Sequence, residues 1–243
     1  MRCYGCSGAA AALTISHLVD ALPAAGRPLI AVTADEAGAR ALRKDLQFFL
    51  GGGGSRGEGE GGSLGASEPV LQLPDLDTSP WADASPERAA ILRRMGTLFR
   101  LSQPRLLGDQ VVVASVRSLA RRVVPRDAFV DLVDIIQAEE DIDRDKTIAR
   151  LARSGYTRAP VCEDPGTYAV RGGVLDVFVP LYRFPVRIEL YGDTVESLRF
   201  YDPATQRTMR KATEIFLHPV RETILTRRSE EHTSELQSLR HIS

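Results

Sequence analysis

Residues 168–208 read YAVRGGVLDVFVPLYRFPVRIELYGDTVESLRFYDPATQRT and carry the clearest strand pattern of the chain. Apolar and polar residues alternate from Val186 to Leu190, because successive side chains of a strand point to opposite faces of a sheet. The same alternation places Asp176 and Phe178 on the polar side of an upstream strand. Gly192-Asp193 interrupts the pattern, which then resumes, so the two runs predict a hairpin. The stretch therefore predicts an antiparallel meander with one face buried and the other in water.

The predicted water-facing side carries Arg187, Glu189 and Tyr191, and Arg171 on a neighbouring strand extends this set. Residue types alone favour an ordinary solvated strand surface. A docking surface is the sharper interpretation, because Arg and Tyr present large contact areas with few rotamers and directional hydrogen bonds. The residues by themselves leave both interpretations open.

Four short motifs occur in series here: Arg-Gly-Gly at 171–173, Leu-Asp-Val-Phe at 175–178, Arg-Ile-Glu at 187–189 and Asp-Pro-x-Thr-Gln-Arg at 202–207. The series resembles the excision-repair subunit UvrB and, more closely, the amino-terminal region of transcription-repair-coupling factors (Mfd). A long ordered series is far more specific than any single short motif. In that family this small domain binds UvrA, and the resemblance implies Arg171, Arg187 and Tyr191 as the UvrA-binding residues. The family more commonly carries Phe at the position of Tyr191.

The resemblance also implies a domain organisation. Residues 1–129 are expected to form an incomplete, degenerate RecA-like α/β domain, in which the glycine-rich residues 51–67 are a flexible insertion. Residues 130–219 are expected to form the small α+β domain that binds UvrA, with an antiparallel sheet. Residues 220–227 would begin a truncated next domain.

The stretch GCSGAAAALT, residues 5–14, occupies the place where the UvrB relatives carry a phosphate-binding loop. Such a loop needs glycines for tight turns, a Lys for the phosphates and a Ser or Thr for magnesium. Gly5 and Gly8 remain, but alanine stands at the Lys position. We therefore expect no ATP or magnesium in this chain, and the loss favours a coupling factor over a UvrB fragment. The following helix is predicted to turn Leu13, Leu18 and Leu22 inward, with Ile15 and Val19 beside them.

Further elements follow from apolar spacing and capping residues. Short buried-type strands alternate with amphipathic helices, as in α/β domains. The strands are predicted at Pro28–Thr33, Val70–Leu73, Gln110–Ser115 and Phe129–Ile136, and the helices at Glu36–Leu50, at residues 86–101 after a Ser85 cap, at Val116–Val123 and at Asp143–Ser154. Trp81 is more readily explained as a core or domain contact than as a DNA-stacking platform.

Composition restricts the functional classes. The 243 residues carry a net charge of -1, so no global field draws the chain to nucleic acid. No apolar stretch approaches a membrane span, and we expect a cytoplasmic protein. Cys3, Cys6 and Cys162 do not supply four zinc ligands, and no catalytic set is legible, so we expect neither a metal site nor an enzyme. In the full-length family, ATP hydrolysis, RNA polymerase contact and movement along double-stranded DNA belong to later domains.

Two alternatives and one anomaly remain. The chain could be a fragment of UvrB itself, or a DNA-binding module that uses Arg117, Arg121 and Arg122 on phosphates. The anomaly is the stretch RSEEHTSELQSLRHIS, residues 228–243, which matches the translation of a sequencing-adapter oligonucleotide. We expect this tail to be an assembly artefact and the natural protein to continue differently.

Overall fold

The computed structural model describes residues 4–22, 28–51, 69–76, 86–103 and 111–222. The predicted cap at Ser85, the residues Trp81 and Cys3, the insertion and the tail lie outside these ranges. The first half contains α1 (Ala9–Ala21), β1 (Leu29–Thr33), α2 (Glu36–Gly51), β2 (Val70–Leu73), α3 (Arg88–Ser102), β3 (Val111–Ser115), α4 (Val116–Ala120) and α5 (Arg126–Val130). The second half contains β4 (Asp134–Gln137), α6 (Arg144–Arg153), β5 (Thr157–Arg158), β6 (Thr167–Arg171), β7 (Val174–Val177), β8 (Val186–Tyr191), β9 (Thr194–Tyr201), β10 (Thr208–Ala212) and β11 (Glu214–Leu217).

The first sheet has the order β1-β3-β2 with all pairs parallel, which confirms the α/β prediction for this part of the chain. The central strand is fully buried, whereas Ile30 and Val32 on the edge strand β1 are 55% and 53% exposed. The predicted cap of α2 is also present, since the Gly38 amide donates to Asp35 Oδ1 at 2.7 Å. This sheet and helices α1 and α2 share one apolar core.

Helix α1 turns a different face inward from the one its leucines predicted. Ala12, Ser16 and Val19 are buried, whereas Leu13 is 43% exposed. The buried residues follow the i, i+4, i+7 spacing of one helix face. Small side chains on that face let α1 approach its neighbours closely, and this packing prevails over the burial of the larger leucine.

The second sheet has the order β10-β9-β8-β7-β6-β5. The pairs from β6 to β10 are antiparallel, as the meander prediction required, but the short edge strand β5 pairs with β6 in parallel. The sheet is therefore mixed rather than purely antiparallel. Helix α6 begins after Asp143, whose Oδ1 accepts from the Lys146 amide at 3.0 Å, and it is followed by Gly155 at φ 94°.

The strand predicted at Phe129–Ile136 is wrong in its first half. Pro125 precedes the short helix α5, and Phe129 on that helix is buried. Only β4 is extended, and it pairs antiparallel with β11, so that Asp134 lies opposite Leu217. The run of apolar residues had concealed a helix-to-strand change, because short apolar runs do not separate the two states.

Helix α3 joins the two sheets. Its residues Leu92, Met95 and Phe99 belong to the core of the second sheet. The Phe99 ring lies 5.8 Å from Phe216 and stacks 5.0 Å from His218. The two halves of the chain therefore share a core along this helix. Within the described residues, no helix is both long and apolar enough to cross a membrane.

Candidate docking surface

The outer face of the six-stranded sheet contains the residues that the sequence singled out. The strand register aligns Ala169, Asp176, Arg187 and Arg199 in one row, and Arg171, Val174, Glu189 and Ser197 in the next. Residues paired across neighbouring strands project from the same face of a sheet. The structure therefore brings Arg171 and Arg187 to one face.

Tyr191 ends β8 on the same side, next to the β8–β9 turn and beyond a bulge between Glu189 and Leu190. Tyr191 is 83% exposed, and no large apolar residue among the described ones is more exposed. Arg171 is also exposed, and its Nη2 donates to the carbonyl of Pro160 at 2.8 Å. We call Arg171, Glu189, Tyr191, Ser197 and Arg199 the outer-face patch.

Glu189 fixes the centre of this patch. One of its carboxylate oxygens accepts from Ser197 Oγ at 2.7 Å, and the other pairs with the guanidinium of Arg199. These contacts connect β8 to β9 and fix the Glu189 carboxylate in the row that contains Arg171, two residues before Tyr191 on β8. The patch is therefore more ordered than a set of independent surface side chains.

Arg187 is held differently from Arg171 and Tyr191. Its Nε and Nη2 donate to the two carboxylate oxygens of Asp176 at 2.8 and 2.9 Å, and Nη2 also donates to Gln206 Oε1 at 2.9 Å. The guanidinium lies 4.5 Å from the ring centre of Tyr201, in a cation–π geometry. The hydrogen bond to Asp176 raises the pKa of Arg187 above its usual range, against the opposing effect of desolvation. Arg187 is thus a structural residue of which 24% is exposed.

One end of the outer face is not in water, contrary to the sequence prediction for Asp176 and Phe178. Both are buried, because the segment before β6 folds over them and packs Cys162 against Ala169 and Phe178. Tyr201 Oη donates to the Cys162 carbonyl at 3.2 Å. Burial raises the pKa of the Cys162 thiol to about 11, so the thiol stays protonated and is not a reactive nucleophile.

Some of the arginines proposed for DNA contact form ion pairs within the chain. Asp75, a buried carboxylate, pairs with Arg117 Nε at 3.2 Å and with Arg121 Nη1 at 3.4 Å, while Arg122 is exposed. Two of the three candidate cations therefore have an intramolecular partner. Among the residues with a described structure, no group of three or more His, Cys, Asp or Glu side chains is arranged to hold a metal ion.

Comparison with known proteins gives a domain and a set of relatives. Residues 135–222 match the UvrB interaction domain. The chain is 42% identical to the transcription-repair-coupling factor of Myxococcus xanthus over 226 residues, which are 93% of this chain and 18% of that protein. It is 32% identical to the corresponding factor of Bacillus subtilis over 73% of this chain and 15% of the relative.

A second group of relatives matches a shorter part of the chain. The chain is 34% identical to the UvrABC system protein B of Acinetobacter baylyi over 58% of its length and 21% of that relative. The chain thus spans less than a quarter of each of these relatives. The resemblance read from the four motifs is confirmed, including the closer similarity to the coupling factors.

Proposed function

We infer that the function of this chain is to dock UvrA in nucleotide excision repair. Residues 135–222 match the UvrB interaction domain, and 93% of the chain is similar to a transcription-repair-coupling factor. The match to the interaction domain is the observation that carries this inference. The outer-face patch supports it, because an exposed Tyr and an exposed Arg lie on one ordered strand face. No catalysis by this chain is proposed.

The three predicted residues have different parts in the proposed complex. Arg171 and Tyr191 are free to contact the partner, the first through charge-assisted hydrogen bonds and the second through its ring. Arg187 offers only Nη1, since its other nitrogens are engaged with Asp176 and Gln206. The main role of Arg187 is to hold Asp176 and Gln206 in place on the outer face of the sheet.

The test is a titration of UvrA with this chain, followed by calorimetry. Arg171→Ala and Tyr191→Ala are each expected to weaken binding by about tenfold or more, the loss typical of interface anchors. Arg153→Ala is a matched control, because Arg153 is exposed on the separate helix α6. Wild-type affinity in both patch variants would overturn the assignment of the patch, and absence of binding by the wild-type chain would overturn the function.

The first half of the chain is proposed to be a degenerate RecA-like domain, covering residues 1–129. Three parallel strands that share an apolar core with α1 and α2 support this proposal. Alanine at the position of the phosphate-binding Lys supports a domain that binds neither ATP nor magnesium. The division at residues 129 and 130 stays a prediction, as does a cytoplasmic location.

The longer protein has further proposed partners. Parts of that protein which this chain does not include would bind RNA polymerase and double-stranded DNA and would contain an ATP-dependent motor. The rival DNA-binding module is less well supported, because Arg117 and Arg121 both form ion pairs with Asp75. A weak dependence of any DNA affinity on salt would agree with this ranking, and a steep one would reverse it.

A further inference from the structure

A second surface of the molecule is a cleft of about 890 Å³ between the parallel sheet and the small domain. Helix α3 forms one wall, and residues 164–167 and 180–183 form the opposite one. Its charged lining is strongly unbalanced, with one carboxylate, Asp164, and five guanidinium groups, those of Arg43, Arg88, Arg93, Arg100 and Arg183. The whole chain has a net charge of -1, so this cleft concentrates positive charge locally.

Three of the arginines have no anionic partner within the described residues. Arg88 donates to the neutral carbonyl of Gly166 at 3.2 Å, and Arg93 and Arg183 are exposed at the cleft. Arg183 otherwise lies 5.4 Å from the ring centre of Phe184. Like charges that line one cleft repel one another, and an anion bound among them would reduce that repulsion.

Gly96 leaves the wall of the cleft open. It lies in the interior of α3, where glycine destabilises a helix relative to alanine. A Cβ added at Gly96 would meet no atom within 4 Å, so packing within the protein does not require a glycine there. The missing side chain instead leaves room for a ligand to approach the helix backbone.

Gln72 adds an unsatisfied acceptor to the same lining. Its side-chain amide donates from Nε2 to Glu36 Oε1 at 2.8 Å, which fixes the orientation of the amide. The residue is 2% exposed, and its Oε1 has no hydrogen-bond partner among the described residues. A buried acceptor without a donor is unfavourable, and a ligand N–H group that reached this oxygen would satisfy it.

The lining distinguishes between anionic ligands. Ala89 and Pro165 provide exposed apolar surface beside the arginines, whereas Tyr182 is not available for base stacking, because it is 5% exposed and its hydroxyl accepts from the Phe216 amide. Nucleic acid without sequence preference uses exposed aromatic rings. A peptide carries all three matching groups: carboxylates for the guanidinium forks, apolar side chains for Ala89 and Pro165, and backbone N–H groups for Gln72.

We propose that this cleft docks an acidic, partly apolar polypeptide segment of a partner protein. The site is distinct from the outer-face patch: Thr167 lines the cleft at one end of β6, and Arg171 lies about 13 Å away at the other end. The proposal does not depend on UvrA docking, and loss of one binding activity leaves the other intact.

The experiment measures fluorescence anisotropy with the whole chain at low salt. The probe is a short fluorescein-labelled peptide that repeats Glu-Leu-Glu-Ala, and a peptide with Gln in place of Glu is its uncharged match. Single-stranded and duplex DNA of equal charge are the competing probes. We expect the acidic peptide to bind more tightly than all three.

Two independent changes test the site. The double variant Arg93→Gln/Arg183→Gln removes two exposed charges, and Gly96→Leu fills the open wall without removing charge. Each is expected to weaken peptide binding by about tenfold, as for loss of charge-assisted contacts. Arg153→Gln, on helix α6, is expected to leave it unchanged.

Several results would overturn the proposal. They are the absence of peptide binding, equal affinity of the Gln peptide, unchanged affinity in both cleft variants, or tighter binding of DNA that is lost in the same variants. Thermal unfolding of each variant checks its fold. Should Gly96→Leu unfold, the charge variant still decides.

Discussion

The guanidinium of Arg94 pairs with the carboxylate of Glu222, 128 residues further along the chain, at the place where the small domain returns to α3. Arg94 is completely buried, and its Nη1 also donates to the Pro74 carbonyl at 3.0 Å. Glu222 retains partial exposure, with 23% of its side chain in contact with solvent. The pair therefore joins the first sheet, the helix and the end of the described chain.

The first prediction concerns the unequal burial of Arg94 and Glu222. Glu222→Ala leaves a buried cation without its counter-charge and is expected to lower the free energy of unfolding by about 3 kcal/mol. Arg94→Met removes the buried charge and leaves a carboxylate that water can reach, so its loss is expected to be smaller. Urea unfolding of both variants measures the difference. A larger loss in Arg94→Met would contradict the explanation.

The second prediction separates folding from docking on the outer face. Arg187→Ala leaves Asp176, whose side chain is 4% exposed, as an unpaired buried carboxylate, and is expected to destabilise the fold by about 3 kcal/mol. Arg171→Ala is expected to change the free energy of unfolding by less than about 0.5 kcal/mol, because its side chain is exposed. Urea unfolding, measured before any UvrA titration, checks both values. Equal stability of the two variants would show that the Asp176 pair is not structural.

The third prediction concerns acid stability. Burial lowers the pKa of His218 from 6.5 to about 4, so the folded state favours the neutral imidazole. The associated stability is present above pH 6.5 and is lost as the pH falls toward 4, by up to about 3 kcal/mol. His218→Phe keeps a ring beside Phe99 and is expected to remove this part of the pH dependence. Unfolding free energies measured across that window check it, and an unchanged slope in the variant would refute it.

The fourth prediction concerns the turn after α6. Gly155 has φ 94°, and an added Cβ would lie 2.6 Å from Arg221 Cγ. Gly192 has φ 64° with no atom within 4 Å of such a Cβ, so it isolates the cost of the backbone conformation, about 1–2 kcal/mol. Gly155→Ala is expected to lower the melting temperature more than Gly192→Ala. Equal melting temperatures would mean that Arg221 moves aside freely.

Local patterns predicted much of the second sheet. Alternation along β8 and β9 gave the hairpin, and Asp143 gave the start of α6 through the hydrogen bond it accepts. The family motifs supplied the interaction domain. These features depend on residues close together in sequence, where side-chain period and capping chemistry act directly.

Other features depend on contacts that are distant in sequence. The burial of Asp176 arises from the covering segment around Cys162, which no local pattern reveals. The cleft also combines Arg43 and Arg183 from separate elements. Arg94 is different, since it lies three residues after Ile91 on the apolar side of α3, and this spacing was a usable sign of a buried charge.

The antiparallel pairing of β4 with β11 has an evolutionary consequence. Asp134 and Leu217 are paired residues, so the two ends of the segment they enclose are only about 5 Å apart. A segment with adjacent ends can enter or leave a surface loop of another scaffold without rerouting the host backbone. Because Phe99 stacks on His218 just beyond β11, such a transplant would also have to bring an aromatic helix with it. The small domain could therefore be transferred between proteins only together with the helix that completes its core.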